Sequence, residues 1–469
     1  MKTVGDHAVV LGGSIAGLLA ARVLVDAYER VTIVERDDLV GAGHGHKGVP
    51  QGRHAHALLA RGQAALEELF PGLFDELVER GAVTARPGLD HRFVLGGHLL
   101  LQVPAGDRAL QASRPFLEEH LRRHVVGTPG VELLAGCDIV GLTAGDDGAL
   151  ITGARLVRRA AGSSAEALRA DLVVDAMGRG SRVTRWLEDI GHEQPPTDEL
   201  RIDVGYASRF VRLPENADDI DKAVIVGPQP GNPRGMALLA VEGGRHLLTL
   251  AGIAGHHPPV DEDGLRGFVN TIAPRDVAEV IRSSEPLGNP VTYRYRTVLR
   301  RHFEQVRRPP AGLIVTGDAL CSFNPIYAQG ITVAALEALA LRRSLAGGAD
   351  GLAPRFFRAA ATTLNDPWRL AIGADLAMPE VAGRRTLGTR LLNAYVGRVQ
   401  AAAEHDATVA ERFLRVIGLL DPPSSLLSPA VATRVFLRSR PDQTGHGPPS
   451  ASTTADRHAG AQRTQIGAA

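Results

Sequence analysis

The sequence is poor in cysteine, in aromatic residues and in any excess of one charge. Cys137 and Cys321 are the two cysteines among 469 residues and stand in no CxxC spacing, which argues against a disulfide scaffold or a zinc site and leaves both as packing residues. Lys plus Arg equals Asp plus Glu, at 52 each, so no net field draws the chain to nucleic acid or to an anionic membrane. No apolar run reaches the roughly eighteen residues of a membrane span. Asp6 and His7 precede the first apolar segment, where a signal peptide carries a basic flank and an apolar helix, so a cytoplasmic location is expected. Aromatics make up 4% of the chain, and a pocket in it should be lined mainly by aliphatic side chains. No internal repeat is present.

What is there begins at residues 8–36, AVVLGGSIAGLLAARVLVDAYERVTIVER. Residues 8–11 read as a buried strand because Gly12 and Gly13 bound the apolar run at once. Ile15, Leu18, Leu19, Val23 and Leu24 fall at helical spacing on one face, and residues 31–34 give a second strand. The turn of this βαβ unit follows a dinucleotide fingerprint, with Gly12 and Gly17 at its first and third glycine positions. Ser14 stands at the second, where a side chain would crowd a phosphate unless it points away or donates to it. Glu35 lies eighteen positions beyond Gly17, at a strand end from which a carboxylate can accept from both ribose hydroxyls.

At this length two or three domains are expected, and the 44% hydrophobic fraction fits a globular enzyme. The loop after Glu35 carries His44, His46, Lys47, Arg53, His54 and His56; it is too polar for a core element, and its four histidines pose a metal site against a merely solvated loop. Residues 58–69 read as a helix and 94–103 as a hairpin. Arg114 opens a helix with proline in its first turn, and its guanidinium is either a phosphate contact or an exposed cation. Residues 131–134, 139–142 and 149–158 read as strands. Residues 172–175 form a buried strand followed by a glycine turn and a helix near Arg182, a second strand-turn-helix unit.

Between residues 202 and 298 the period changes to strands at 204–211, 223–226, 235–241 and 246–251, interrupted by helices at 261–272 and 275–283 and closed by TYRYRTV at 292–298. An antiparallel sheet domain is implied. Residues 313–316 are again a buried strand, which puts Asp318 at the carboxyl edge of the sheet, and a helix apolar almost all round follows from residue 331 to 345. Residues 350–438 read as helices packed on the body of the protein through stripes such as Leu391, Leu392, Tyr395 and Val399. Residues 439–469 have the composition of a disordered tail.

Three segments taken together, GGSIAG at 12–17 with Glu35, DAMGRGS at 175–181 and GDALCSFNPIYAQG at 317–330, resemble the FAD-binding sequence set of p-hydroxybenzoate-hydroxylase-type flavoprotein monooxygenases over about residues 7–400. KGVPQGRHAH at 47–56 and DAMGRGS further resemble bacterial epoxidases of polyether antibiotic pathways, the monensin and lasalocid type, which are distantly similar to squalene epoxidase. The fold class this implies is α/β: a discontinuous Rossmann-like FAD-binding domain (1–60, 108–190 and 300–348), an antiparallel-sheet α+β substrate domain (61–107 and 191–299), and C-terminal helices (349–438).

By that resemblance Gly12, Gly13, Ser14, Ala16 and Gly17 meet the pyrophosphate of FAD, Glu35 and the adjoining Arg36 the adenosine ribose, and Asp318 the ribityl or pyrophosphate portion. Arg53 and Arg114 become flavin contacts, and the helix led by Pro325, Gly330 and Ile331 points its positive end at the flavin. Phe323 and Tyr327 are candidates for the substrate pocket.

No general acid or base stands out, which suits a chemistry whose oxygen donor is a flavin C4a-hydroperoxide. The implied reaction is epoxidation or hydroxylation of an apolar alkene-bearing natural product with O2. A flavin-dependent reductase or dehydrogenase of an isoprenoid-like or polyketide chain is the competing reading within enzymes, and a redox-sensing nucleotide-binding scaffold the reading outside them. Two departures stand out. Met177 occupies the place of the acid in the hydroxylases' Asp-Gly pair, so reduction by NAD(P)H should be slow and a separate flavin reductase should supply electrons, unless Asp175 substitutes. Flavin halogenases carry a tryptophan-rich motif, whereas Trp186 and Trp368 lie far apart here.

Overall fold

The computed structural model describes residues 4–38, 50–160, 162–217 and 220–438. Its first layer is a five-stranded parallel sheet in the order Leu313–Val315, Leu172–Asp175, Gly5–Leu11, Tyr28–Val34, Val131–Leu134. Residues Ala8 to Leu11 in its middle strand are fully buried, as a strand covered on both faces requires. Helix Ile15–Leu24 packs on helices Arg114–Val126 and Gln329–Leu345, and strand Ile151–Arg158 of a separate three-stranded antiparallel sheet lies beside Leu172–Asp175. The carboxyl ends of strands Gly5–Leu11, Leu172–Asp175 and Leu313–Val315, neighbours at one side of the sheet, lead into the glycine turns at 12–17, 176–181 and 317–318.

The second layer is an eight-stranded sheet in the order Cys321–Ser322, Glu285–Arg301, Thr197–Arg212, Arg245–Ile253, Arg234–Val241, Ala223–Val226, His91–Leu95, His98–Leu99. It is mixed rather than wholly antiparallel, because His91–Leu95 pairs in parallel with Ala223–Val226. The expected hairpin at 94–103 shrinks to a two-residue return strand at His98–Leu99. The two long strands, Thr197–Arg212 and Glu285–Arg301, extend well beyond the expected segments. Their exposed ends, charged at 197–203 and bearing proline and glycine at 285–291, broke the apolar alternation that marks a strand.

Strand alternation gives this sheet two different faces. Ala207, Val211, Leu238, Leu248 and Leu250 form a core with helices Glu262–Asn270 and Arg275–Ser283. On the opposite face Tyr206 pairs across the strands with Tyr293 and Ala251, and Ser208 with Val291 and Thr249. That face turns toward the parallel-sheet layer: Ala55, from the segment after Glu35, packs against it, and its amide donates to Thr249 Oγ1 at 2.9 Å.

Helix Leu352–Ala377 runs back across the joint between the layers, whereas helices Leu387–Ala403, Ala407–Ile417 and Pro429–Arg438 share a core of their own with Leu100 and Val103. Of the stripe expected to face inward, Val399 is buried, but Leu391 and Leu392 are 72% and 48% exposed. The apolar period of that helix is real, and its first turns find no partner among the described residues. Among the described residues no helix is long and apolar enough to cross a membrane. Residues 439–469 lie outside the described residues.

Candidate functional site

The first glycine turn is shaped by close approach. Gly12 has φ +106°, and a Cβ there would stand 2.6 Å from the Ala176 carbonyl oxygen; at Gly17 it would stand 1.9 Å from the carbonyl oxygen of Gly12. Only hydrogen fits at either place, so the helix starts directly over the strand end with its amides facing the crevice. Glu35, 5% exposed, accepts from the Gly13 amide at 2.7 Å with Oε2 and from the Asp37 amide at 2.8 Å with Oε1. The carboxylate thereby ties the glycine turn to the end of the second strand.

Ser14 does not crowd the crevice with an idle side chain. Its hydroxyl accepts from Arg114 Nη2 at 3.0 Å, and Arg114 also reaches Glu118 Oε2 at 3.3 Å and His56 Nε2 at 3.1 Å. Burial first, then the neighbouring Arg114 charge, push His56 down to about 3. It is therefore neutral, and its Nδ1, 2.9 Å from the His54 carbonyl oxygen, carries the proton while Nε2 accepts from Arg114. Arg114 is thus neither a bare surface cation nor free to swing: its side chain is 12% exposed, and its charge bears on Asp318.

The three strand ends converge. Gly317, at φ +63°, leaves 2.6 Å between an added Cβ and the Ala16 methyl, and added Cβ atoms at Gly178 and Gly330 would lie 3.8 Å and 4.0 Å from Asp318 atoms. Burial raises the Asp318 carboxyl above its ordinary range, against the pull of Arg114 and Arg179. Behind this surface stand two fully buried acids that sequence reading did not assign. Glu337 Oε2 holds the Gly317 amide at 2.6 Å and the Thr316 hydroxyl at 2.7 Å, and burial lifts it to about 7. Asp175, lifted by burial to about 6, holds the Met177 amide at 3.0 Å and the Ser181 hydroxyl. Asp175 is completely buried, with both of these bonds made inside its own turn.

Other expected residues lie farther out. Arg36 is exposed and pairs with Asp138 at 3.2 Å. Arg53 ends a short 3-10 helix, Pro50–Arg53, and is exposed. Pro325 begins a turn capped by Asn324, whose Oδ1 accepts from the Ile326 amide, and Ala328 at φ +55° leads into helix Gln329–Leu345, where Gly330 is exposed and Ile331 buried. Phe323 is 5% exposed and meets Trp368 edge-on, with centroids 6.1 Å apart.

The loop at 50–56 corrects a second expectation. Far from being merely solvated, His54 is 4% exposed and drives into the eight-stranded sheet, with Nδ1 2.7 Å from Ser208 Oγ, itself 2.6 Å from Thr249 Oγ1. Burial, with Arg53 adding to it, pushes His54 down to about 4. His44, His46 and Lys47 lie outside the described residues; among the described residues no group of three or more His, Cys, Asp or Glu could hold a metal. Both cysteines are buried, and burial raises both thiols.

Around His54 the scarce aromatics gather. The chain has six tyrosines, and four stand here. The His54 ring lies 5.6 Å from that of Tyr206 and 5.9 Å from that of Tyr293; the Tyr295 hydroxyl donates to Ser322 Oγ at 2.8 Å, with Arg179 over its ring at 4.0 Å. Tyr327 donates to Asp375 Oδ1 at 2.9 Å, alongside Asn324 Nδ2 at 2.7 Å. Asp375 is fully buried, and burial lifts it to about 6. The alternation Tyr-Arg-Tyr-Arg at 293–296 was the signal in the sequence, since a period of two puts both rings on one face. Nothing local marked Asp375 or His54.

Three converging glycine turns, a buried acid at the second strand end and a helix N-terminus on the same crevice make a cradle whose shape and donor set fit FAD. The architecture is that of the p-hydroxybenzoate-hydroxylase-type flavoproteins. It matches the flavin-dependent brominase Bmp2 with a TM-score of 0.63 at 15% identity, over 88% of this chain and 93% of that one. It matches p-nitrophenol 4-monooxygenase PnpA from Pseudomonas putida with a TM-score of 0.64 at 19% identity, over 90% of this chain and all of that one (100%). No family model matches the sequence. The chain belongs to the family of Protein Rv3254 of Mycobacterium tuberculosis, with 34% identity over 452 residues, 89% of this chain and 90% of the relative.

Proposed function

We propose that this chain is an FAD-dependent monooxygenase that adds one oxygen atom from O2 to an apolar, alkene-bearing natural product, by epoxidation or hydroxylation. The observation that carries the reading is the convergence of the turns at Gly12, Gly178 and Gly317 on one crevice, opposite a sheet face of partly exposed apolar and tyrosine side chains. FAD, once bound, supplies the activation of dioxygen. Glu35 would hold the adenosine ribose, the turn at 12–17 the pyrophosphate, and Asp318 with Arg114 the stretch toward the flavin. Gly330, at the start of helix Gln329–Leu345, directs that helix's positive end into the crevice. Phe93, Phe210, Ile225 and Ala237, all half-buried on the sheet face, would receive the chain of the substrate and keep water away from it.

Kinship to the polyether-pathway epoxidases remains part of this proposal, on the strength of the segments 47–56 and 175–181. Electrons would arrive through a separate flavin reductase, because Met177 has no carboxylate to offer and Asp175 is spent on its own turn. Halogenation, the chemistry of one structural neighbour, is the less favoured course: Trp186 sits in helix Val183–Asp189 and Trp368 against Phe323, with no tryptophan cluster between them.

The test is incubation of the FAD-loaded protein, a flavin reductase and candidate polyenes under 18O-labelled dioxygen, with mass spectrometry of the products. One labelled oxygen per product is expected; oxidised product without label would replace this reading with a dehydrogenase. Anaerobic mixing with NADPH or NADH in the presence of substrate should reduce the flavin more slowly than steady-state turnover with reductase. Faster reduction by the nicotinamide alone would remove the reductase from the scheme.

A further inference from the structure

Three polar atoms on the sheet side of the crevice are buried and have no hydrogen-bond partner: Tyr206 Oη, Asp375 Oδ2 and His54 Nε2. Their residues are 7%, 0% and 4% exposed. A buried hydroxyl and a buried carboxyl oxygen left unpaired are each costly, so such atoms in one cluster need an explanation beyond packing. They do belong to one cluster. Tyr206 pairs across the strands with Tyr293, its neighbour two places on is Tyr295, and Tyr295 is bonded to Ser322. Two residues further, Asn324 and then Tyr327 are bonded to Asp375. Burial foremost, with Tyr295 and Asp375 adding to it, raises the Tyr206 hydroxyl, and Tyr206 in turn raises that of Tyr327. The Asp375 charge bears on Tyr206, and the free oxygen of each is buried without a hydrogen bond among the described residues.

We propose that Tyr206 and Asp375 form a hydroxyl-recognition subsite, in which an alcohol group of the substrate donates to Asp375 Oδ2 and accepts from Tyr206 Oη. The proposal rests on the monooxygenase reading for its substrate and narrows it, from an apolar alkene to an alkene chain bearing a hydroxyl. The other oxygen of Asp375 is fixed by Asn324 and Tyr327, which aims Oδ2 and leaves it an acceptor. Tyr206, on strand Thr197–Arg212, offers a buried hydroxyl that bonds to nothing among the described residues. An alcohol is the simplest group that offers one donor and one acceptor at a single atom, and a site built to bond it rejects the analogue without it, because the protein groups then stay unpaired. His54 Nε2 borders the same space, with its ring angle set by Ser208.

The test uses geraniol and its deoxy counterpart, 2,6-dimethyl-2,6-octadiene, as matched probes. Trp368 packs on Phe323, next to Asn324, and shares helix Leu352–Ala377 with Asp375, so in a Trp186→Phe background its fluorescence reports occupancy without reference to flavin. Flavin absorbance, followed in the same titration, reports FAD loading separately; protein that takes up no FAD refutes the monooxygenase reading, whatever the fluorescence shows. The fluorescence titration is expected to give tighter binding of the alcohol than of the hydrocarbon. Tyr206→Phe and Asp375→Asn should each weaken the alcohol by about tenfold and leave the hydrocarbon unchanged. Tyr206→Phe removes an unbonded hydroxyl, so its melting temperature should not fall, which separates a recognition role from a structural one. No preference for the alcohol in the parent protein, including failure to bind it, overturns the proposal, as does equal loss for both probes in Tyr206→Phe.

Discussion

The proposed nucleotide end and the proposed substrate end of the crevice are built in opposite ways. At the nucleotide end the working groups are backbone amides, placed by glycines within a single strand-turn-helix segment and tied off by one carboxylate, Glu35. At the substrate end they are side chains brought together from five distant segments: His54, Tyr206, Tyr293 with Tyr295, Tyr327, and Asp375. A site made of backbone tolerates almost no change of side chain at its glycines, while a site made of side chains can be altered one atom at a time without loss of the fold.

The largest effect should therefore come from the smallest residue. Gly17→Val would push its Cβ into the Gly12 carbonyl, where a Cβ has only 1.9 Å, and should cost more than about 3 kcal/mol, seen as loss of the cooperative melt and of FAD together. Next comes pH. Asp175, Glu337 and Asp375 are held at about 6, 7 and 6 by burial, above their ordinary range near 4. The folded state thus binds more protons than the unfolded one between about pH 4 and 7, and stability falls as pH rises through that window. Asp375→Asn keeps an acceptor for Asn324 and Tyr327 and removes the titration, so the difference in urea stability between pH 5 and pH 8 should shrink by roughly 1 to 3 kcal/mol. An unchanged difference would mean that Asp375 is charged in the folded protein.

Glu35→Ala strands the Gly13 and Asp37 amides and should cost about 1 to 3 kcal/mol, measured by urea unfolding without FAD. Tyr206→Phe should lie within about 0.5 kcal/mol of the parent in the same assay. A loss there as large as that of Glu35→Ala would erase the contrast between the two ends.

The contrast also explains what the sequence disclosed. Gly12, Gly17 and Glu35 are legible because a close backbone approach demands glycine at fixed offsets, and Gly317 with Asp318 repeats the device. Strand and helix positions followed from apolar period, and they failed where long strands ran into a charged end at 197–203 and a proline- and glycine-bearing end at 285–291. His54 was misread as solvated because a polar loop carries no sign that it will be driven into a sheet. Asp375 was invisible, since one acid in a helix gains its meaning only from Asn324 and Tyr327, some fifty positions away. Phe323 drew notice as an aromatic in a chain short of aromatics, and its contact with Trp368, 45 positions on, was not readable from its neighbours.

The most direct test is an equilibrium FAD titration of the parent protein, Glu35→Ala and Tyr206→Phe side by side. The parent should bind FAD, Glu35→Ala should bind it at least about tenfold more weakly through loss of a charge-assisted pair to the ribose, and Tyr206→Phe should match the parent within about twofold. A parent protein that ignores FAD, or two variants that lose it equally, would contradict a crevice with a backbone-built nucleotide end and a separable substrate end.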